Sequence, residues 1–98
     1  MSTFEWDSDK NKKNLSKHNV DFREAQEIFD DKNAIEKLGT FRDEPRIIRI
    51  GKTTAKFILV VVYTMRDVVV RLISARQASK EERNAYLENR FKQQKDEN

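Results

Sequence analysis

Phe57-Ile58-Leu59-Val60-Val61-Val62-Tyr63 and, beyond a short polar break, Val68-Val69-Val70 are the most apolar stretches of the chain. The first run is apolar at every position rather than at alternate ones, and β-branched and aromatic residues dominate it. A strand with that pattern is covered on both faces. Spanning a bilayer as a helix would need ~20 such residues, so the run is read as the centre of a soluble core. Arg66-Asp67 interrupts the apolar residues just long enough for a turn. The segments Phe57 to Met65 and Val68 to Ala75 are therefore expected to pair as a tight hairpin.

Upstream, Arg46-Ile47-Ile48-Arg49-Ile50 reads as another strand, with Pro45 at its entrance and Gly51 at its exit. Ala34 to Leu38 is a weaker strand, closed by Gly39-Thr40. Before it, Phe22, Ala25, Ile28 and Phe29 fall on one helical face, and Asp21 with Glu24 resembles a capping box. Asp30-Asp31-Lys32-Asn33 ends that helix. A first helix should run to His18 from an N-cap at Asp7 or Ser8, with Asp9 favourable at its positive end. Leu15 is its only strongly apolar residue, which predicts shallow docking. Phe4-Glu5-Trp6 starts the chain as an extended segment that Trp6 anchors. Downstream, Ser79-Lys80-Glu81-Glu82 is a capping box, and the helix it opens carries Ala85, Tyr86 and Phe91. The order is β-α-α-β-β-β-α, an α+β arrangement with an antiparallel sheet and helices packed on it.

At 98 residues the chain has room for one domain; residues 1–92 are assigned to it and residues 93–98 to a flexible tail. The absence of cysteine excludes disulfides and thiolate metal sites, and a single histidine argues against zinc. No metal or cofactor is expected. The N-terminus has neither the basic nor the apolar region of a signal peptide, so the expected location is cytoplasmic. Charge is uneven. Residues 46–76 hold seven Lys/Arg against Asp67 alone, a net of +6, whereas residues 1–45 sum to −3. A basic block on the strand-rich third suits phosphates or an acidic partner. A solvated sheet surface would carry the same residues.

Two blocks of residues sharpen this. Phe4-Glu5-Trp6-Asp7, Lys10, Asn14, Lys17-His18, Val20 and Phe22 resemble the opening signature of the BrnT family of ribonuclease toxins. Val61-Val62-Tyr63-Thr64, Arg66, Arg71, Ile73-Ser74-Ala75-Arg76, Ala78, Glu82 and Tyr86 resemble its closing signature. Together they span nearly all but the last ten or so residues. Asn19 stands where the family is expected to have glycine, and it too tolerates a left-handed turn. The stretch Thr40 to Pro45 is shorter than usual and lacks a histidine. The resemblance implies a RelE-like fold and an endoribonuclease that inhibits growth when free. It further implies a BrnA-like antitoxin with a ribbon-helix-helix DNA-binding part. The complex would repress its own operon, touching operator DNA only through the antitoxin, which is expected to dock over the basic sheet.

Metal-free RNA cleavage needs a group to take the ribose 2′-OH proton, cations around the phosphorane and a donor for the leaving 5′-oxygen. Arginine suits the second task because its planar fork grips two phosphate oxygens. Arg76 and Arg66, at the ends of the last hairpin, are the first catalytic candidates; an ion pair with Glu82 or Asp67 is the alternative. His18 is the one side chain of a type that titrates near neutrality, or else a helix-terminal residue packed beside Leu15 and Val20. Tyr86 is weighed as a base-stacking or proton-donating group against a core anchor, and Glu82 as an orienter of arginine against a helix cap. Lys13, Lys17, Arg49 and Arg71 are taken as RNA-binding. The competing reading is a non-catalytic module whose basic sheet binds nucleic acid or protein. No carboxylate cluster accompanies the basic block, which disfavours a metal-dependent nuclease.

Overall fold

In a computed structural model, which describes residues 2–96, the apolar run lies at the centre of one five-stranded sheet. In chain order the elements are β1 (Thr3–Glu5), α1 (Ser8–His18), α2 (Phe22–Ala25), β2 (Ile35–Phe41), β3 (Glu44–Lys52), β4 (Ile58–Arg66), β5 (Val69–Gln77) and α3 (Lys80–Asp96). A 3₁₀ turn, Gln26–Asp30, continues α2. The strands lie in the order β1-β5-β4-β3-β2. The expected β4–β5 hairpin is present, and β4 is an interior strand.

One expectation is corrected. The sheet is mixed, because β1 runs parallel to β5, with Thr3 opposite Val69 and Glu5 opposite Arg71. β1 reaches the sheet before both N-terminal helices and three intervening strands, so no hairpin dictates its direction. The α+β class stands. The segment expected as a tail is entered by α3, which runs to Asp96; residues 97 and 98 lie outside the described ones.

Leu59, Val60 and Val61 are all buried, which is what an uninterrupted apolar run requires. Side chains alternate across a strand. Leu59, Val61 and Tyr63 meet Val20, Phe22, Ala25 and Ile28 on one face. Val60 meets Ile50, Ala78 and Tyr86 on the other. The first face is closed by edge-to-face aromatic pairs, Phe4 on Phe29 at 5.1 Å, Phe29 on Tyr63 at 4.9 Å and Trp6 on Phe22 at 6.0 Å. Gly51 falls inside β3 because the 3₁₀ turn presses on it: a Cβ there would stand 2.8 Å from that of Ile28.

The caps at Asp7 and Ser79 behave as read, whereas among the described residues the box expected between Asp21 and Glu24 is not closed. Asp7 accepts from the amides of Asp9 and Lys10, and Asn19 closes α1 in the left-handed region at φ 58°. Ser79 and Glu82 exchange backbone–side-chain bonds at 3.2 and 2.8 Å. Asp21 caps α2 through the amide of Arg23.

Docking of α1 rests on amides rather than on Leu15, which remains exposed. β1 covers only the first part of β5, so the backbone of Ala75 has no neighbouring strand on that side. Asn14 takes its place, donating to the Ala75 carbonyl (2.8 Å) and accepting from the Ala75 amide (3.0 Å). The Asn14 side-chain amide also donates to the Val20 carbonyl at 2.9 Å. Asn11 accepts from the amide of Phe22. Two asparagines on one helical face thus hold α1 over the open edge of β5.

Candidate nucleic-acid interface

The register of β4 and β5 slips between Val62 and Tyr63. Val62 lies opposite Ser74, whereas Tyr63 lies opposite Leu72, leaving Ile73 as an extra residue. This bulge lets Leu72 and Ala75 both enter the closed core. Ile73 and Ser74 are turned together onto the opposite face. There they floor an open groove of about 590 Å³, with Val62 and Ile48 beside them.

One wall of the groove is α1, which contributes Lys10, Lys13, Asn14, Lys17 and His18. The spacing of the lysines, i, i+3 and i+7, is that of a single helical face. The far wall is the end of the β2–β3 hairpin, with Thr40, Phe41 and Arg46. Among the described residues no carboxylate lines the groove, and none of the three lysines forms a salt bridge. The Nε of Arg46 is buried without a hydrogen-bond partner, while its Nη2 stands 3.6 Å from Glu44. An apolar floor between cationic walls, one of them holding an unanswered donor, suits a ligand with flat apolar surface and negative charge.

Of the residues singled out in the sequence, Lys13, Lys17 and His18 come together in this groove. Arg76 lies on the same sheet face as Ser74, two residues further along β5. Its guanidinium grips Glu82 through two bonds of 2.7 and 2.8 Å. That contact raises the Arg76 pKa, chiefly through the Glu82 hydrogen bond, and the Arg76 hydrogen bond holds the Glu82 carboxyl down at about 2. Glu82 therefore serves as cap and arginine partner at once. Arg66 and Arg71 converge on Glu5 Oε1 at 3.8 and 3.5 Å.

Two candidates are placed elsewhere. Tyr86 is 1% exposed and donates its hydroxyl to Asp31 at 2.6 Å. Burial pushes the Asp31 carboxyl up, but the Tyr86 hydroxyl and the amides of Asn33 and Lys52 outweigh it and leave it below the usual range. Arg49 points to the closed face. Its guanidinium bonds Glu36 and the carbonyls of Ile28 and Asp31, and lies 5.3 Å from the Phe29 ring. Tyr63 donates to the same Glu36 carboxylate, and its own pKa is raised by burial and by that carboxylate.

Sequence reasoning did not single out Lys10, Phe41 or Arg46 as site residues. Lys10 was legible from its spacing to Lys13 and Lys17. Phe41 and Arg46 had no local signal, since only the hairpin's return brings them opposite α1. Among the described residues no group of three histidine, aspartate or glutamate side chains is placed to hold a metal ion. No described helix is long and apolar enough to cross a membrane.

A polar helix laid over a bulged sheet, with a cationic groove between them, defines an α+β protein with one open, positively charged sheet face. The profile of the family described as "Ribonuclease toxin, BrnT, of type II toxin-antitoxin system" matches residues 6–82. The chain belongs to that BrnT family of ribonuclease toxins. It is similar in fold to the crystal structure of the Brucella abortus ribonuclease toxin BrnT, at a TM-score of 0.61 and 23% identity. That match covers 82% of this chain and 100% of the Brucella chain. No curated protein matches it.

Proposed function

We propose that the groove between α1 and the sheet is the site of a metal-independent endoribonuclease, and that cleavage of cellular RNA there inhibits growth. The observation that carries this reading is the groove itself: three lysines and His18 on one wall, Arg46 on the other and, among the described residues, no salt bridge to those lysines and no carboxylate in the lining. In the proposed reaction the ribose 2′-oxygen attacks the adjacent phosphorus as its proton leaves to a base. The P–O5′ bond then breaks and the 5′-oxygen takes a proton, giving a 2′,3′-cyclic phosphate and a 5′-hydroxyl. His18 is assigned one of the proton transfers. Lys13, Lys17 and Arg46 hold the phosphate, and Arg76, fixed by Glu82, and Arg66 supply further charge on the same sheet face. Tyr86 and Glu82 act as positioning residues, one securing α3 and the other Arg76.

The proposed partner is a BrnA-like ribbon-helix-helix antitoxin whose acidic or amphipathic segment covers this cationic face. The complex would repress its own operon, with operator DNA contacted by the antitoxin alone. The fold is proposed to be RelE-like, and the compartment the cytoplasm.

The test is RNA cleavage in EDTA by the purified chain and by His18→Ala, Arg76→Ala and Arg66→Ala, with thermal melts and a growth assay alongside. His18→Ala and Arg66→Ala should melt close to the parent, since surface changes usually stay within ~0.5 kcal/mol, whereas Arg76→Ala, which gives up the paired Glu82 contact, should stay folded but melt lower. Each should lose ~10²–10³ in rate. Parental rates in all three would sink the assignment of residues. A parent that cuts no RNA would leave a non-catalytic binding module.

A further inference from the structure

We propose that Phe41 and Arg46 form a nucleobase subsite at the hairpin end of the groove, which makes single-stranded RNA with an unstacked base the preferred substrate. The proposal rests on the RNA reading of the groove and adds to it a residue that selects the form of the strand.

Phe41 is 55% exposed and lines the hairpin end of the groove. Its backbone position is set by a tight turn. Arg42 and Asp43 form the two-residue hairpin turn with φ of 51° and 66°, and Phe41 is paired opposite Glu44. Positive φ at both central positions gives the twist that matches paired strands. The guanidinium carbons of Arg42 and Arg46 lie 5.2 and 5.4 Å from the Phe41 ring centroid. An aromatic ring flanked by planar cations is the kind of surface on which nucleobases stack.

Arg46 adds direction. Its Nε is buried and has no partner, so an acceptor reaching it removes an existing desolvation penalty. A carbonyl oxygen or ring nitrogen of a base stacked at Phe41, or the phosphate of that nucleotide, supplies such an acceptor. The lysines of α1 face this end across a floor of Ile48, Val62 and Ile73. The volume, about 590 Å³, falls within the ~300–1,000 Å³ of clefts that take a small organic ligand. A duplex keeps its bases stacked inside and offers only backbone to such a site.

The test is equilibrium binding, by fluorescence anisotropy, of a 2′-O-methyl RNA single strand that cannot be cut. Its duplex and a series with one abasic position at a time are measured in parallel. The parent should bind the single strand at least tenfold tighter than the duplex. Phe41→Leu should lose roughly 5- to 100-fold for the single strand, the range of one lost base stack, and Phe41→Trp should restore it. One abasic position should cost the parent as much, and cost Phe41→Leu nothing further. Arg46→Lys, which keeps the charge but not the plane, should fall between. Melts of every variant verify the fold, which the exposure of Phe41 protects.

Equal binding of single strand and duplex, or a Phe41→Leu protein that binds like the parent, overturns the proposal. So does a Phe41→Leu protein that keeps its RNA affinity but releases a co-expressed antitoxin, which would make Phe41 a protein-contact residue. Because the strand is uncleavable, a chain that binds as expected yet cuts no RNA sinks the catalytic reading alone. Failure to bind any strand overturns both.

Discussion

Arg46 and Arg49 lie three residues apart on β3, and period-two alternation sends them to opposite faces of the sheet. On the closed face, Arg49 is surrounded by acceptors: Glu36, two backbone carbonyls and an aromatic ring. On the open face, Arg46 also lies against a ring, Phe41 at 5.4 Å, but has one distant carboxylate and a buried Nε with no partner. The same contrast holds for whole regions. Phe22 is fully buried between α2 and the sheet, whereas Phe41 stands at the groove mouth, more than half exposed. One face satisfies its polar groups internally and is built for stability. The other leaves cations and apolar surface available, and a ligand can complete them.

Breaking each face should therefore give a different kind of failure. The largest effect is expected from Phe22→Ala, which empties a fully buried site and should cost ~3–5 kcal/mol in denaturant unfolding; Phe41→Leu should stay within ~0.5 kcal/mol. Asn14→Ala is next. It removes three bonds and leaves the amide of Ala75 without its partner. A loss of about 2–4 kcal/mol is expected from orphaned buried groups, with hydrogen exchange rising first at Ala75. If Asn14→Ala melts with the parent, α1 is not held as described.

The arginine pair sharpens the comparison further. Arg49→Ala should destabilise by about 1–3 kcal/mol, because it removes three hydrogen bonds of one guanidinium and its packing on Phe29, and should leave the RNA affinity of the folded fraction alone. Arg46→Ala should do the reverse. Smaller again is the effect of any one of Lys10→Ala, Lys13→Ala or Lys17→Ala. Each should reduce the slope of log affinity against log salt for single-stranded RNA by about 0.7, with an unchanged melt. Salt slopes identical to the parent's would place the nucleic acid elsewhere.

The mildest effect concerns pH. The Glu82 carboxyl is held at about 2 in the folded chain, chiefly by Arg76, against an ordinary value of 4.5. A depressed carboxylate pKa contributes stability that is present above 4.5 and is lost as pH falls from there toward 2. Melts between pH 5 and 2 should thus fall more steeply for the parent than for Glu82→Gln. Parallel curves would mean that the Arg76–Glu82 contact is not maintained in solution.

The central hairpin was legible because every position of Ile58 to Tyr63 is apolar, as a strand covered on both sides requires; Phe57, expected in the same strand, precedes it and is half exposed. The Ser79–Glu82 box and the Asp7 cap were legible because capping is decided within four residues. The site was legible in part. Lys13, Lys17 and His18 share a helix face, and their grouping follows from helical period alone. The bulge at Ile73 left no local mark, and without it Ile73 and Ser74 would not share the groove floor. Nor did Leu15 disclose that α1 docks through Asn14 and Asn11, since asparagine on a polar helix reads as solvated surface.

By itself the sequence determined the type and order of the elements, the apolar centre of the sheet and the inventory of cations. These follow from short-range periodicity, capping and composition, which act within a few residues. Only the tertiary structure decided that β1 lies parallel to β5, which face of β3 is covered, and that Arg46 and Phe41 stand across from the lysines of α1. Those outcomes depend on contacts between residues roughly thirty to 66 positions apart in the chain. They are chosen by which apolar faces bury one another best, and that choice is a property of the assembled core rather than of any segment within it.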